Sequence, residues 1–310
     1  MPKVSIAMPL YNAEKYVSET VKSLLVQTYE DFEIIIVDDA STDNSVKIVS
    51  RIDDSRIRLL KNSVNMGIAA TRNRAIENCV GEYIALMDDD DIAPNYRIEK
   101  EVNFLNENNG IDVVGGHCRF IDENGQQIKN KQWNVFQNPN YIKAYLLLGD
   151  AMPNGSTMFR SIFIKANQLK FQDNMYGAED YQFWVECSLK GTIANIDEVL
   201  LYWRIGHDNA TGRITEQKWE QRRKVLENIR RYALEGNGFN LSEKEIKFLT
   251  HVFDEDGIID NAEEMQVLFQ TLRKISKQAH QKNMQNAKEI TTMCRKRFGE
   301  KVGKAFYLWK

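Results

Sequence analysis

Short apolar runs rich in β-branched residues alternate with helical patterns through the first third of the chain. Val4–Met8 predicts a strand, and Ala13–Gln27 predicts a helix with Val17, Val21, Leu24 and Leu25 at helical spacing. Phe32–Val37 is almost continuously apolar, as a strand covered on both faces would be. A helix from Ser45, a strand at Ile57–Leu60, a helix at Ile68–Cys79 and a strand at Tyr83–Met87 follow. Strand–helix–strand repetition at this spacing implies a mostly parallel sheet flanked by helices.

Beyond residue 111 the rhythm changes. Asp112–Gly116 and Arg119–Ile121 predict strands, with a turn at Glu123-Asn124-Gly125. A helix is predicted at Asn140–Leu148, a strand at Ser156–Phe159, a helix at Glu179–Lys190 and a strand at Val199–Ile205. From Glu216 to Lys304 the pattern is helical. The expected organisation is therefore an α/β part over 1–212, with halves at 1–110 and 111–212, followed by an all-helical region over 213–310.

The chain has 310 residues and an ordinary 43% hydrophobic content, and it carries no apolar run long enough to span a bilayer. Its N-terminus lacks the features of a signal peptide. Four scattered cysteines, with no Cys-x-x-Cys pair, read as reduced thiols of a cytoplasmic protein. Net charge is −3, unevenly spread: residues 271–310 hold eleven basic and two acidic side chains. The acidic body argues against a nucleic-acid partner, which would demand a basic face.

Chemistry gathers at strand ends. The first strand runs into Pro9-Leu10-Tyr11-Asn12, the second into Asp38-Asp39-Ala40-Ser41-Thr42-Asp43, and a later one into Asp88–Asp91. Open parallel sheets bind ligands outside the carboxyl ends of their strands. Taken singly, Asp38-Asp39 could be a turn with a helix cap, and Asp88–Asp91 a solvated acidic loop. Together they place two acidic clusters at one crevice, where a divalent cation would relieve their repulsion. Oxygen donors without His or Cys nearby favour Mg2+ or Mn2+ over Zn2+.

These segments, with Gln27-Thr28-Tyr29, Asn65-Met66-Gly67, Arg72-Asn73, Gly81-Glu82-Tyr83-Ile84 and Glu179-Asp180, are similar in order and spacing to those of a known family. The chain resembles the family 2 glycosyltransferases of the GT-A fold over about residues 2–210. The resemblance implies a Rossmann-like nucleotide-binding half and inverting transfer from a nucleotide-sugar, typically a UDP-sugar. It places Pro9, Tyr11, Asp38, Asp39, Asn65, Arg72, Asp88 and Asp89 around the donor, with Asp39 on the base. It places Asp90, with Asp88, on Mn2+ or Mg2+; the four consecutive aspartates leave the register open by one residue. His207, in a late Arg-x-x-His-like segment, reads either as a neighbour of the metal or as a structural residue. Glu179-Asp180 supplies the general base, Asp180 ahead of Glu179, against the plainer reading of favourable charge at a helix N-terminus. The implied setting is bacterial surface glycan assembly, with a glycan, lipid-linked or protein acceptor.

Two other functions compete: a nucleotidyltransferase, whose Gly-rich basic loop is missing at Met8–Asn12, and an inactive nucleotide-sugar-binding module, which would not need a base. Residues 252–263 resemble a calcium loop, but Val252 stands where a first ligand belongs. The basic tail offers an apolar stripe of Phe298, Val302, Ala305, Phe306 and Trp309. That stripe either docks peripherally on the inner face of the membrane or packs on the body or a second subunit.

Overall fold

The computed structural model describes residues 2–206, 216–254 and 257–308, without the side chains of 216–218 and 304–308. In chain order its elements are β1 (Val4–Leu10), α1 (Val17–Leu25), β2 (Phe32–Asp38), α2 (Ser45–Val49), β3 (Ile57–Lys61), α3 (Ile68–Glu77) and β4 (Tyr83–Leu86). Next come α4 (Arg97–Glu107), β5 (Val113–Ile121), β6 (Gln127–Trp133), α5 (Pro139–Tyr145), a 3-10 turn at Asn154–Ser156, β7 (Met158–Arg160) and α6 (Ser161–Ala166). The last are α7 (Glu179–Lys190), β8 (Ile193–Arg204), α8 (Glu216–Gly236), α9 (Glu243–Phe253), α10 (Ala262–Gln281) and α11 (Ala287–Leu308). They fall into two compact units. One comprises Met1–Gln137, Met152–Asn174 and Lys190–Arg213; the other comprises Asn138–Ala151, Met175–Leu189 and Ile214–Lys310.

The first unit is built on a sheet ordered β3-β2-β1-β4-β7-β5-β6, with β8 paired to β5. Strands β1 to β4 are mutually parallel, as the alternation with helices requires. β7 enters antiparallel between β4 and β5, and β8 runs parallel to β5. All seven residues of β1 are buried. One face of the sheet packs Ile6, Met8, Ile34 and Ile36 with Val17, Val21 and Leu24 of α1 and Ile98, Val102 and Leu105 of α4.

Several elements differ from the periodicity reading. β5 is one strand rather than two, because bulges at Gly115–Cys118 break its alternation without ending it. β8 starts at Ile193 instead of Val199, across the same register shifts. β6 is nearly all polar and exposed, so alternation gave no sign of it. α4 was also unanticipated, although Ile98, Val102 and Leu105 stand at helical spacing.

The second unit is helical among its described residues. Asn138 caps α5, Ser242 and Glu245 form a capping box on α9, and Asn261 caps α10. Arg230 is 3% exposed and donates to the carbonyls of Leu148, Thr250 and Phe253 at 3.0, 3.3 and 3.1 Å. It thereby meets the Phe253 carbonyl at the end of α9 and adds a second donor to the Thr250 carbonyl, which already accepts the Asp254 N–H. On α11, Ile290, Met293 and Cys294 are buried, Phe298 meets Phe269 edge-on at 5.5 Å, and Arg297 lies over the rings of Tyr145 and Phe253. α11 is thus packed at least as far as Phe298; the side chains of Ala305, Phe306 and Trp309 lie outside the described residues. Val252 of the calcium-like loop is buried, and Glu255 and Asp256 also lie outside the described residues. No described helix is long and apolar enough to cross a membrane.

Register between β1 and β4 depends on a close approach at Gly81. A Cβ there would sit 2.6 Å from the Ser5 backbone nitrogen and 2.8 Å from the Val4 carbonyl carbon. The buried Ser5 hydroxyl accepts from the Gly81 N–H at 2.8 Å and donates to Glu33 at 2.6 Å. Gly81→Ala should lower stability by about 1–3 kcal/mol, the usual penalty of overpacking. The reading is a lower urea midpoint at unchanged slope; a wild-type midpoint would mean the strands can separate freely at this point.

Candidate active site

The carboxyl ends of β1, β2 and β4 lie side by side, so their loops share one edge of the sheet. Pro9 sits beyond the last β1–β4 pair, Ala7–Leu86, where the N–H it lacks is not needed by β4. Tyr11 follows, 40% exposed. Its neighbour Asn12 accepts from the Thr42 N–H at 2.8 Å while Ser41 accepts from the Asn12 N–H at 3.0 Å. The loops after β1 and β2 are stitched together.

Asp38 and Asp39 are both 3% exposed. Asp38 accepts from the Ser41 N–H at 3.2 Å. Asp39 is more heavily engaged: Oδ1 accepts from Asn62 Nδ2 and the Met66 N–H, each at 2.7 Å, and Oδ2 from the Gly67 N–H at 2.9 Å. Gly67 has φ +88°, a conformation that suits glycine and turns its N–H onto the carboxylate. This fastens the loop carrying Asn65, which is itself exposed. Asn62 extends the network to Thr71 at 2.9 Å and accepts from Arg74.

The aspartate run after β4 has a different partner for each member. Asp88 pairs with Arg72 at 2.7 Å; that guanidinium is 4% exposed and lies 4.9 Å over the Phe171 ring. Asp89 Oδ2 accepts the Tyr11 N–H at 2.8 Å, so the ends of β1 and β4 are tied directly. Asp91 is buried and accepts the Arg204 N–H at 2.8 Å. Arg204, fully buried, donates Nε to the Asp90 carbonyl at 2.7 Å, Nη1 to the carbonyls of Asp122 and Glu123, and Nη2 to Glu19 at 2.7 Å. Its guanidinium lies 4.7 Å over the Tyr16 ring. Burial, followed by the charge of Asp90, pushes the carboxyls of Asp89 and Asp91 well above the usual carboxylate range. A cation at this edge would reverse that shift.

Under this loop lies a buried ion pair. Arg97 and Glu101 are fully buried, 3.3 Å apart, and Arg97 Nη2 donates to the carbonyls of Leu86 and Thr157 at 2.8 and 3.3 Å. The last residue of β4, two before Asp88, is held from below.

In the second unit, Glu179 and Asp180 open α7 and are half-buried. Asp180 Oδ1 accepts the Tyr181 N–H at 2.7 Å, and the Tyr181 hydroxyl donates to the Leu146 carbonyl at 3.0 Å. His207 lies outside the described residues.

The structure therefore brings Tyr11, Asp38, Asp39, Asn65, Arg72 and Asp88–Asp90 to one sheet edge. Sequence reasoning missed Arg204, Asn62 and Glu19 as the groups that fix this edge. Arg204 left one signal: an arginine closing an apolar strand is buried only when its donors are all met.

Residues 5–167 match the model of glycosyl transferase family 2. A Haemophilus influenzae protein named as an uncharacterized glycosyltransferase is 34% identical over 241 residues, 74% of each chain. The Staphylococcus aureus TarS 1–349 structure with UDP-GlcNAc superposes with TM-score 0.61 at 19% identity, over 97% of this chain and 92% of that one. The mannosyltransferase PcManGT of Pyrobaculum calidifontis, with GDP-Man and Mn2+, gives TM-score 0.56 at 15% identity, over 100% of this chain and 88% of that one. The family match and the fold together define a glycosyltransferase with the GT-A architecture. The chain belongs to glycosyl transferase family 2.

Burial raises the Glu101 carboxyl to about 7, against the opposing pull of Arg97. A carboxyl raised in the folded state binds more protons there than when unfolded, so stability falls as pH rises from 4.5 to about 7 and levels off above. The loss is on the order of 3 kcal/mol. Urea midpoints measured across this range should decline for wild type and flatten for Glu101→Gln; parallel slopes would contradict the assignment.

Proposed function

We propose that this enzyme transfers a sugar from a UDP-sugar to an acceptor hydroxyl, with inversion and with Mn2+ or Mg2+, in bacterial surface glycan or glycoconjugate synthesis. The observation that carries this reading is the bonded edge on which Tyr11, Asp39, Arg72, Asp88 and Asp89 meet. The UDP-GlcNAc and the GDP-Man with Mn2+ bound by the two structural neighbours support the donor class and the metal.

Asp39 receives the base. A carboxylate offers about four lone-pair directions; three are taken by Asn62, Met66 and Gly67, and the fourth, on Oδ2, suits the imide N–H of uracil. Pro9, Tyr11, Asp38 and Asn65 line the nucleoside, and Asp88 or Asp89 takes the ribose. Arg72 lies near the nucleotide and offsets its charge.

The donor set suits a hard cation. Among the described residues no three His, Cys, Asp or Glu side chains form a closed cage. Mg2+ is typically held by one or two carboxylates, completed by substrate phosphates and water, and Asp90 with Asp88 provides such a set. When bound, the ion neutralises the diphosphate as it leaves. Asp180, with Glu179 beside it, takes the proton of the acceptor hydroxyl as that oxygen bonds to the anomeric carbon. The bond from that carbon to the diphosphate breaks in the same displacement, which inverts the configuration.

UDP with Mn2+ at a hundredfold excess over Kd should stabilise the fold by about 2.7 kcal/mol. Asp90→Asn should abolish the Mn2+-dependent part in a thermal-shift titration; equal stabilisation by UDP in chelator would remove the metal from the account. Asp180→Asn should slow transfer by about 10²–10⁴ with donor affinity little changed. A more severe loss in Glu179→Gln would give the role to Glu179.

A further inference from the structure

The helical region after 213 lies outside the matched family segment, yet one of its residues reaches the turn that starts α7. Arg222 of α8 donates Nη1 to the Tyr176 carbonyl at 2.8 Å and to the Gly177 carbonyl. Both residues are in the left-handed region, Tyr176 at φ +50° and Gly177 at φ +76°. For Tyr176 that conformation presses Cβ toward its own following carbonyl, so it persists only when something outside the turn favours it. Two carbonyls presented to one guanidinium nitrogen are such a constraint. The guanidinium is itself backed by the Trp219 ring at 5.8 Å.

Two residues later come Glu179 and Asp180. The body of α7 is fixed by Tyr181, Phe183 and Trp184, which are 3%, 0% and 0% exposed. Packing therefore holds the body of α7, and Arg222 holds the turn just before its first residue. Adjacent helical side chains diverge by about 100°, so Glu179 and Asp180 face different ways, and the turn that sets how α7 begins sets which of them is presented.

We propose that Arg222 is a positioning residue for the general base, selecting Asp180 over Glu179 by fixing the turn at Tyr176–Gly177. This rests on the reading of Asp180 as base. It assigns the helical region a part in catalysis that the family match does not cover.

The test uses the full chain and donor hydrolysis to the free nucleotide, with whichever UDP-, GDP- or dTDP-sugar wild type hydrolyses fastest. Arg222→Ala should lower kcat about 10–100-fold with KM for the donor within about twofold. Arg222→Lys, which keeps a single donor nitrogen without the planar fork, should fall between, and added guanidinium ions should partly restore the alanine variant. In an Asp180→Asn background, Arg222→Ala should cause no further loss, since the two act as one unit. Wild-type kcat in Arg222→Ala, beside a slow Asp180→Asn, overturns the proposal alone. Multiplicative losses overturn it too, because Arg222 would then act independently of the base. Full activity in Asp180→Asn instead sinks the base reading beneath it. Should the alanine variant fail to fold, the lysine variant carries the same comparison, and a wild-type kcat there counts against the proposal.

Discussion

Four consecutive aspartates at the end of a buried strand set the problem that the rest of the first unit answers. Two like charges 4 Å apart repel by about 4 kcal/mol at an effective dielectric of 20. A hydrogen bond to a charged group returns about 1.5–3 kcal/mol, so no single contact holds such a loop. The chain applies several at once: Arg72 on Asp88, the Tyr11 N–H on Asp89, and the Arg204 N–H on Asp91 with its guanidinium on the Asp90 carbonyl. The loop is thus fixed by protein groups, while Asp89 and Asp91 keep the raised carboxyls of a crowded, desolvated site. Positive charge placed at this edge would relieve that residual repulsion.

The same contacts explain why distant elements converge. Arg204 closes β8, and its donors reach Glu19 on α1 and the Asp122–Glu123 turn after β5. Asp39 fixes the loop between β3 and α3 from the end of β2. Each site loop is anchored by a group from another strand, and the sheet supplies the common frame.

Much of this was legible in residue order. The parallel half could be read because its strands are buried on both faces and its helices carry regular apolar stripes. The gathering of Asp38, Asp39 and Asp88–Asp91 at one edge could be read because acidic clusters recur where strands end. β6 escaped because an exposed polar edge strand has no alternation to detect. Arg204 escaped because its partners are backbone carbonyls more than eighty residues away. The clustering of Asn138–Ala151 and Met175–Leu189 with the helices after 213 is likewise a matter of long-range packing, which local periodicity does not carry. Arg230, which joins carbonyls of Leu148, Thr250 and Phe253, and Arg222, which ties α8 to the Tyr176–Gly177 turn, are its physical expression.

The protein organises the acidic loop before any ligand arrives. Hydrogen exchange of the free chain, without nucleotide or divalent cation, tests it directly. The amides of Tyr11 and Arg204, which donate to Asp89 and Asp91, should exchange slowly, and Arg204→Lys should release them. Fast exchange of both amides in wild type, slowed only when UDP and Mn2+ are added, would contradict the account and make the ligand, not Arg204, the organiser of the site.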